Sequence, residues 1–494
     1  MMTAARDDSK SSVERSPSFR LGIDRAWKST SEAARCVSKA GSLAMLLLAG
    51  CAAYHPRPLP AGVDTATTLR QLRVSPRDIP LPRLARQQVN LDQPLAMPAV
   101  AALAVLNNPQ LRLMRDRLGV ARAQAFAAGL LPDPRFSTSR AFPGNSAGAT
   151  STAFSYGLDF DLGALLTRPA ARAAAQAHVR SVDLDLLWQE WQTAAQAQLL
   201  YVRLTGLEQR RRILEQEAQL AALRLRRLRV AAARGELPRT DADAQLASLQ
   251  VLNQQLADAR RRGVSLQTRL HALLGLASGV PLQLAGMPQL PAHGTRQVRD
   301  ALARVANIRP DLRALRAGYR SQEQSLREAV LAQFPSIRVG LTRARDNTNV
   351  NTIGFGVSFT LPLLNGARGR VAVQRATRRQ LYDAYQLRLD QTQADGEQAL
   401  RDLSELRAEA ATLRAALPAL AGAARAAQVA LQHGEITLPQ AQTQSAALLR
   451  QRLALQQVEQ QQAEQAVALN LLTGTGLYRA QIGSDGAPRS DEKP

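Results

Sequence analysis

The chain has 494 residues, 45% of them apolar, and a formal charge of +23, so it is long enough for two or three domains and too apolar for wholesale disorder. The charge first points to nucleic acid, but only four of the 63 basic residues are lysines (Lys10, Lys28, Lys39 and Lys493). Arginine runs such as Arg210–Arg212 and Arg260–Arg262 fall inside helical patterns, without interleaved aromatics for base stacking, and no nucleic-acid partner is expected.

From the N-terminus, the first feature is the apolar segment 40–51, AGSLAMLLLAGC, which follows Arg35 and Lys39. It is far shorter than the ~20 apolar residues that span a bilayer, and has the basic-then-apolar layout of an export signal. Its end, Leu48-Ala49-Gly50-Cys51, resembles the bacterial lipoprotein box. In that family the signal is cut before the cysteine, whose sulfur and new amine are acylated, palmitate included. Ala52, in place of Asp, resembles the sorting pattern for the outer membrane. Residues 1–50 are therefore expected to be the signal, and 51–100 a lipid-anchored, Pro-rich segment. The 39 residues ahead of the apolar run are long for a signal, so the true start is expected downstream. Processing removes Cys36 and leaves Cys51 alone, which excludes disulfides and Cys-based metal sites. No other stretch reads as a transmembrane helix, so anything else that enters a membrane must do so as β-structure.

The remainder is written twice, as repeat 1 (101–290) and repeat 2 (291–475), with a polar tail at 476–494. An offset of 199 carries Phe154 onto Ile353, Gly235-Glu236 onto Gly434-Glu435, Gln245 onto Gln444 and Gly275 onto Gly474. Upstream the offset is 201, which carries Pro109-Gln110-Leu111 onto Pro310-Asp311-Leu312. In each copy a helix (102–131; 302–332) runs to a proline. Two strands follow (135–142 and 152–162; 337–344 and 352–361), joined by turn-rich loops. A long helix comes next (168–233; 368–432), then a Gly-Glu break and a returning helix (241–274; 440–472).

The strands are two-faced. Phe154, Tyr156, Leu158, Phe160 and Leu162 share one side of the first copy, and Ile353, Phe355, Val357, Phe359 and Leu361 one side of the second. Gly, Ser, Thr and Asp occupy the other sides. Such a strand suits a barrel wall between lipid and water, or one face laid on a soluble core. The 66 residues of 168–233 would extend roughly 100 Å, matched by the two shorter helices of the copy set end to end. Leu214, Ala218, Ala221, Leu225, Leu228 and Ala232 step by four and three, as do Leu249, Leu252, Leu256, Ala259, Gly263, Leu266, Leu270 and Leu273, which is coiled-coil spacing. The second returning seam (Leu448, Gln451, Leu455, Val458, Gln462, Gln465, Leu469, Leu472) carries three glutamines. They read as a solvated face or a looser contact.

Four strands cannot close a membrane barrel, whose smallest forms have about eight, and an open edge in lipid leaves peptide groups unpaired. If these strands enter a membrane, several chains must share a barrel. The lipobox, paired hairpins, long helices, the NNPQL stretch at 107–111 and the Gly-Glu tips together resemble the TolC family of outer membrane factors, over about residues 100–475. The resemblance implies a mainly α fold with a small transmembrane β part. Its long antiparallel coiled-coil helices lie in two tandem repeats, and each chain gives four strands to a trimeric, twelve-stranded outer-membrane barrel above a periplasmic α-helical tunnel. Asn108-Pro109 and Arg309-Pro310 would mark where the upper helices start. The ten apolar strand residues named above would face lipid. The helix tips would form the periplasmic mouth and meet an adaptor (membrane fusion) protein, with Gly235, Leu237, Thr240, Gly434, Ile436 and Leu438 as the expected contacts.

Read as local structure, Gly235 and Gly434 suit a left-handed helix end and Thr240 a cap for the returning helix. Some family members carry carboxylates on the second-copy tip helix; here it begins Gln440, Gln442, Gln444, which argues against an acidic gate there. No catalytic set emerges. The five histidines (His55, His178, His271, His293, His433) have no spaced partner, and Asp241 and Asp243 point to different helix faces. No metal site, cofactor or enzymatic activity is expected. The resemblance implies the passive exit duct of a tripartite efflux system, which exports small toxic compounds and is driven by an inner-membrane pump. Heavy-metal efflux and type I protein secretion are alternatives on the same fold. A periplasmic coiled-coil scaffold lipoprotein is an alternative of another class.

Overall fold

The computed structural model describes residues 54–75, 79, 81, 84–87, 89–144, 151–289 and 294–474. The signal at 1–50, the lipidation residue Cys51 and the tail at 476–494 lie outside the described residues. The chain divides into two units, and in the first, Met1–Asp64, the described residues 54–64 are exposed and form no helix or strand. All that follows concerns the second unit, Thr65–Pro494.

Repeat 1 is α1 (Met97–Asn107), α2 (Pro109–Gly129), β1 (Arg135–Ala141), β2 (Ala153–Asp161), α3 (Leu162–Ala233) and α4 (Arg239–Leu274). Repeat 2 is α5 (Thr295–Leu302), α6 (Val305–Ile308), α7 (Pro310–Leu331), β3 (Ile337–Arg345), β4 (Asn351–Phe359), α8 (Arg368–Gln432) and α9 (Leu438–Thr473). The helix expected over 102–131 is two helices. Pro109 has no N–H to continue α1, and the extended residue Asn108 starts α2 afresh. Its Oδ1 accepts from Gln110 N (2.9 Å) and Leu111 N (3.1 Å), and its Nδ2 donates to the Leu273 carbonyl (3.0 Å), pinning α2 to the end of α4. Likewise 302–332 is divided among α5, α6 and α7, with Pro310 opening the last.

The first long helix starts earlier than expected. The Asp161 carboxylate accepts from Ala164 N (3.2 Å), and this cap sets α3 going at Leu162 with Pro169 carried inside it. Leu162 is thus a helical residue, and Leu361 lies past the end of β4.

The long helices organise the rest. Helix α3 has 72 residues, about 110 Å, and α8 has 65, about 100 Å. The 21-residue α2 and 36-residue α4 both lie along α3. The 22-residue α7 and 36-residue α9 both lie along α8 and also touch α3, so they join the two repeats. One half of the layer therefore runs α2–α3–α7–α8 and the other α4–α3–α9–α8.

The largest core lies where these halves meet. Helix α1, apolar all round, is buried among Trp188, Trp191 and Tyr201 of α3 and Leu270 and Leu274 of α4. Further along, Leu214 and Ala218 pack on Leu256, Leu249 and Leu252, as the four-three spacing predicts. In the second seam the glutamines differ from the expected solvated face. Gln451 and Gln462 are half-buried, and their Nε2 atoms donate across to the α8 carbonyls of Leu413 (3.0 Å) and Leu406 (2.7 Å).

Candidate functional site

The two hairpins come from opposite halves of the chain, yet they form one antiparallel sheet in the order β1-β2-β3-β4. Because β2 pairs with β3, the register aligns side chains from all four strands. One face carries Phe136, Leu158, Leu341 and Phe355 in a single cross-strand row. Toward the helices follow Phe160, Val339 and Val357, then Ile337 and Phe359. Toward the hairpin loops follow Thr138, Tyr156, Arg343 and Ile353, then Arg140, Phe154, Arg345 and Asn351.

The opposite face is small and polar: Ser137, Ser139, Ser155, Gly157, Thr342, Gly340, Gly354, Gly356 and Thr352. Neighbouring side chains close over the glycines in places. A Cβ at Gly157 would lie 2.6 Å from Ser137 Oγ, and one at Gly340 would overlap the Asp159 carboxylate.

Among the described residues, none covers the apolar face. Ile353 is 77% and Phe355 73% exposed, with Phe136, Leu341, Val357 and Phe359 also open. Phe154 and Phe160 are only half-buried, and Tyr156 and Leu158 are exposed. Among the described residues, neither β1 nor β4 has a partner on its outer edge. An uncovered apolar face with two raw edges is aggregation-prone in water, whereas in lipid the face is favourable and only the edges need partners. Exposed Leu361, Leu363 and Leu364 extend the apolar surface beyond β4.

At the far ends of the helices are the two tips. Gly235 (φ +76°) and Gly434 (φ +75°) are left-handed as expected. Each closes a Schellman turn: Glu236 N donates to the Ala231 carbonyl and Glu435 N to that of Ala430, both at 2.9 Å. The cap assignment needs correction. Thr240 is the second residue of α4, after Pro238 at the N-cap, and the capping hydroxyl is in the other copy. Thr437 forms a capping box with Gln440, whose Oε1 accepts from Thr437 N at 2.8 Å.

Of the six expected contact residues, Gly235, Leu237, Thr240 and Gly434 are exposed and Ile436 and Leu438 half-buried. The tip glutamines have structural work: Gln442 Nε2 donates to Gln245 Oε1 (2.8 Å), and Gln245 Nε2 to the Ala221 carbonyl (3.2 Å). This chain ties the α8–α9 tip to the α3–α4 tip.

Between sheet and tips lies a charged node that sequence reasoning passed over. Arg309, 2% exposed, stands where repeat 1 has Asn108. Its guanidinium pairs in fork fashion with Asp311 (2.9 and 2.6 Å) and lies 4.6 Å over the Trp188 ring. Arg388 Nε adds a third bond to Asp311 (2.8 Å). Burial raises the Asp311 pKa, but the two arginines outweigh it and hold the carboxyl below its ordinary range. Asp185 keeps an exposed surface, yet desolvation by the atoms packed around it, with the Asp311 charge, drives its carboxyl the other way, up to about 6. Arg309 and Asp311 two residues apart beside a proline were the available signal.

No family model and no curated protein matches this sequence. Solved structures do. The outer-membrane channel OprN superposes with a TM-score of 0.68 at 16% identity, covering 87% of this chain and 100% of that one. CusC, described in terms of transmembrane channel formation, gives 0.66 at 16%, covering 86% and 99%. The open state of the Neisseria gonorrhoeae MtrE outer membrane channel gives 0.63 at 18%, covering 87% and 98%.

Proposed function

The chain having the fold of a TolC-family outer membrane factor, we propose that it is an outer-membrane exit duct. Three copies set four strands each edge to edge, so that twelve strands close and no peptide edge faces lipid. The exposed apolar face turns to the bilayer, and the Gly/Ser/Thr face lines water. The helices continue the wall for about 100 Å into the periplasm, and acylated Cys51 adds an anchor at the membrane.

The observation that carries this reading is the pairing of an uncovered apolar sheet face with two open edges. A scaffold with a soluble hairpin domain would bury that face. The duct works passively: an inner-membrane pump supplies the energy, a periplasmic adaptor meets the tips, and small toxic compounds leave through the lumen. Opening is a displacement of the α8–α9 tip from the α3–α4 tip, which loosens the Gln442–Gln245–Ala221 chain.

The test is mild cross-linking in intact cells, then purification of this protein and mass spectrometry of its partners. A trimer bound to an adaptor and a proton-driven transporter is the expected result. An ATP-driven transporter would move the reading to secretion or ATP-powered efflux. Self-cross-links in a complex smaller than a trimer would overturn the duct.

A further inference from the structure

The apolar face is not apolar to its end. In the two rows nearest the hairpin loops, Arg343 stands beside Tyr156 and Ile353, and Arg140 and Arg345 flank Phe154. These three arginines share the face that turns to lipid. The spacing of strands and residues puts their Cα atoms within about 12 Å of one another. Two of them are braced on aromatic rings, Arg140 at 5.4 Å over Phe142 and Arg345 at 4.8 Å over Phe154.

What they lack is a counter-charge. On the duct-lining face, Arg338 lies 3.8 Å from Asp161, and Arg135 is paired in register with Asp159. On the lipid face, no carboxylate among the described residues pairs with Arg140, Arg343 or Arg345. The adjacent acid, Asp346, is occupied by its own turn: Oδ1 accepts from Thr348 N (2.9 Å), Thr348 Oγ1 (2.8 Å) and Val350 N (2.9 Å). Arg345 Nε is buried with no acceptor, although a buried N–H ordinarily has one. With the helices in the periplasm, the outer of these rows lies at the height of the outer leaflet's head groups, and Arg343, about 5 Å deeper, reaches that level along its long side chain.

Resting on the duct reading, we propose that Arg140, Arg343 and Arg345 form a clasp for the phosphate groups of the outer-leaflet lipid. Guanidinium forks match phosphate oxygens two at a time, and the neighbouring Phe154, Tyr156 and Ile353 offer acyl chains an apolar wall. The clasp holds annular lipid against the barrel and fixes its depth in the membrane. Basic side chains near an interface recognise anionic head groups in this way.

The test uses the full-length trimer, purified and stripped of lipid, titrated with lipid A carrying both phosphates, with the same lipid dephosphorylated, and with inorganic phosphate. Native mass spectrometry reads bound lipid. The wild type should prefer the phosphorylated lipid, and R140Q/R343Q/R345Q should lose about tenfold or more of that binding. The duct-face variant R135Q/R338Q should match wild type. Equal binding of both lipids, or undiminished binding by the triple variant, overturns the clasp. Displacement by millimolar inorganic phosphate would mark a free-anion site and overturn the lipid assignment. Should the triple variant not assemble, R343Q serves alone, since Arg343 is exposed and makes no hydrogen bond or ion pair among the described residues. A trimer that enters liposomes without phosphate preference sinks the clasp and spares the duct; a wild-type chain that neither trimerises nor enters liposomes sinks both.

Discussion

Phe355→Arg is the sharpest test of which solvent the sheet face meets. Phe355 occupies the middle apolar row, beside Leu341, and is 73% exposed. The row containing Asn351 and the outer arginines is four residues further along the strand, about 13 Å at 3.3 Å per residue. At a tilt of 35–45° this is about 10 Å of depth, close to the centre of an apolar band some 25 Å tall. An arginine at that depth costs about 2–4 kcal/mol per chain, a shift of roughly 30- to 1,000-fold in each chain's folding equilibrium. Ile353→Arg, one row nearer the loops, should cost about half or less, because the penalty falls to ~0–1 kcal/mol at the interface. Trimer stability in liposomes, followed by chemical denaturation, reads both. In water a residue so exposed would accept arginine within about 0.5 kcal/mol. Two neutral substitutions, or equal costs at 353 and 355, would refute the membrane assignment of this face.

Other consequences are more local. Asn108→Ala removes both α2 capping bonds and the tie to Leu273, and should lower stability by about 1–2 kcal/mol in chemical denaturation; no change would deny the cap its role. Asp185→Asn should raise the melting temperature at pH 7.5, because the folded state holds this carboxyl at about 6 against an ordinary 3.8 and disfavours its charge. The folded state binds the extra proton between those values, so wild-type stability falls as pH rises through that window. The gain should therefore shrink from pH 6 downward and be gone below pH 4, and a gain that persisted at pH 4 would contradict the mechanism. Gln442→Ala unties the two tips and should leave the trimer intact while raising single-channel conductance in a planar bilayer. Unaltered conductance would locate the restraint elsewhere.

Much of this architecture is written locally. The tip glycines and the alternation in β2 and β4 follow from residues within a few positions of one another, and the duplication from short patterns that recur at a near-constant offset. The start of α2 at Asn108-Pro109 was legible through the family resemblance and not through local pattern. Apolar residues continue on both sides of Pro109, and proline at a first helical position breaks no pattern that a sequence displays. At the returning helices, Thr240 and Thr437 both look like caps. The turn geometry decides: three residues past the left-handed glycine come Pro238 in one copy and Thr437 in the other. The 199-residue offset pointed to that pairing. The β2–β3 junction could not be read, because it joins segments more than 170 residues apart through side chains that are individually unremarkable. Nor could the arginine rows, since β1 (RFSTSRA) has a single large apolar residue and barely alternates.

The two open strand edges carry a genetic consequence. In the proposed duct, edge β1 of one chain meets edge β4 of the next, a head-to-tail contact that closes only when every member supplies both. A chain whose β1 edge alone is broken, by a proline at Ser137 for instance, still offers a sound β4 to its neighbour and is still recruited. Made in equal amount with the intact chain, and mixing freely, it would leave about one-eighth of the trimers free of defective members. Loss-of-function alleles that spoil one edge should therefore be dominant, whereas alleles that remove the chain altogether should be recessive.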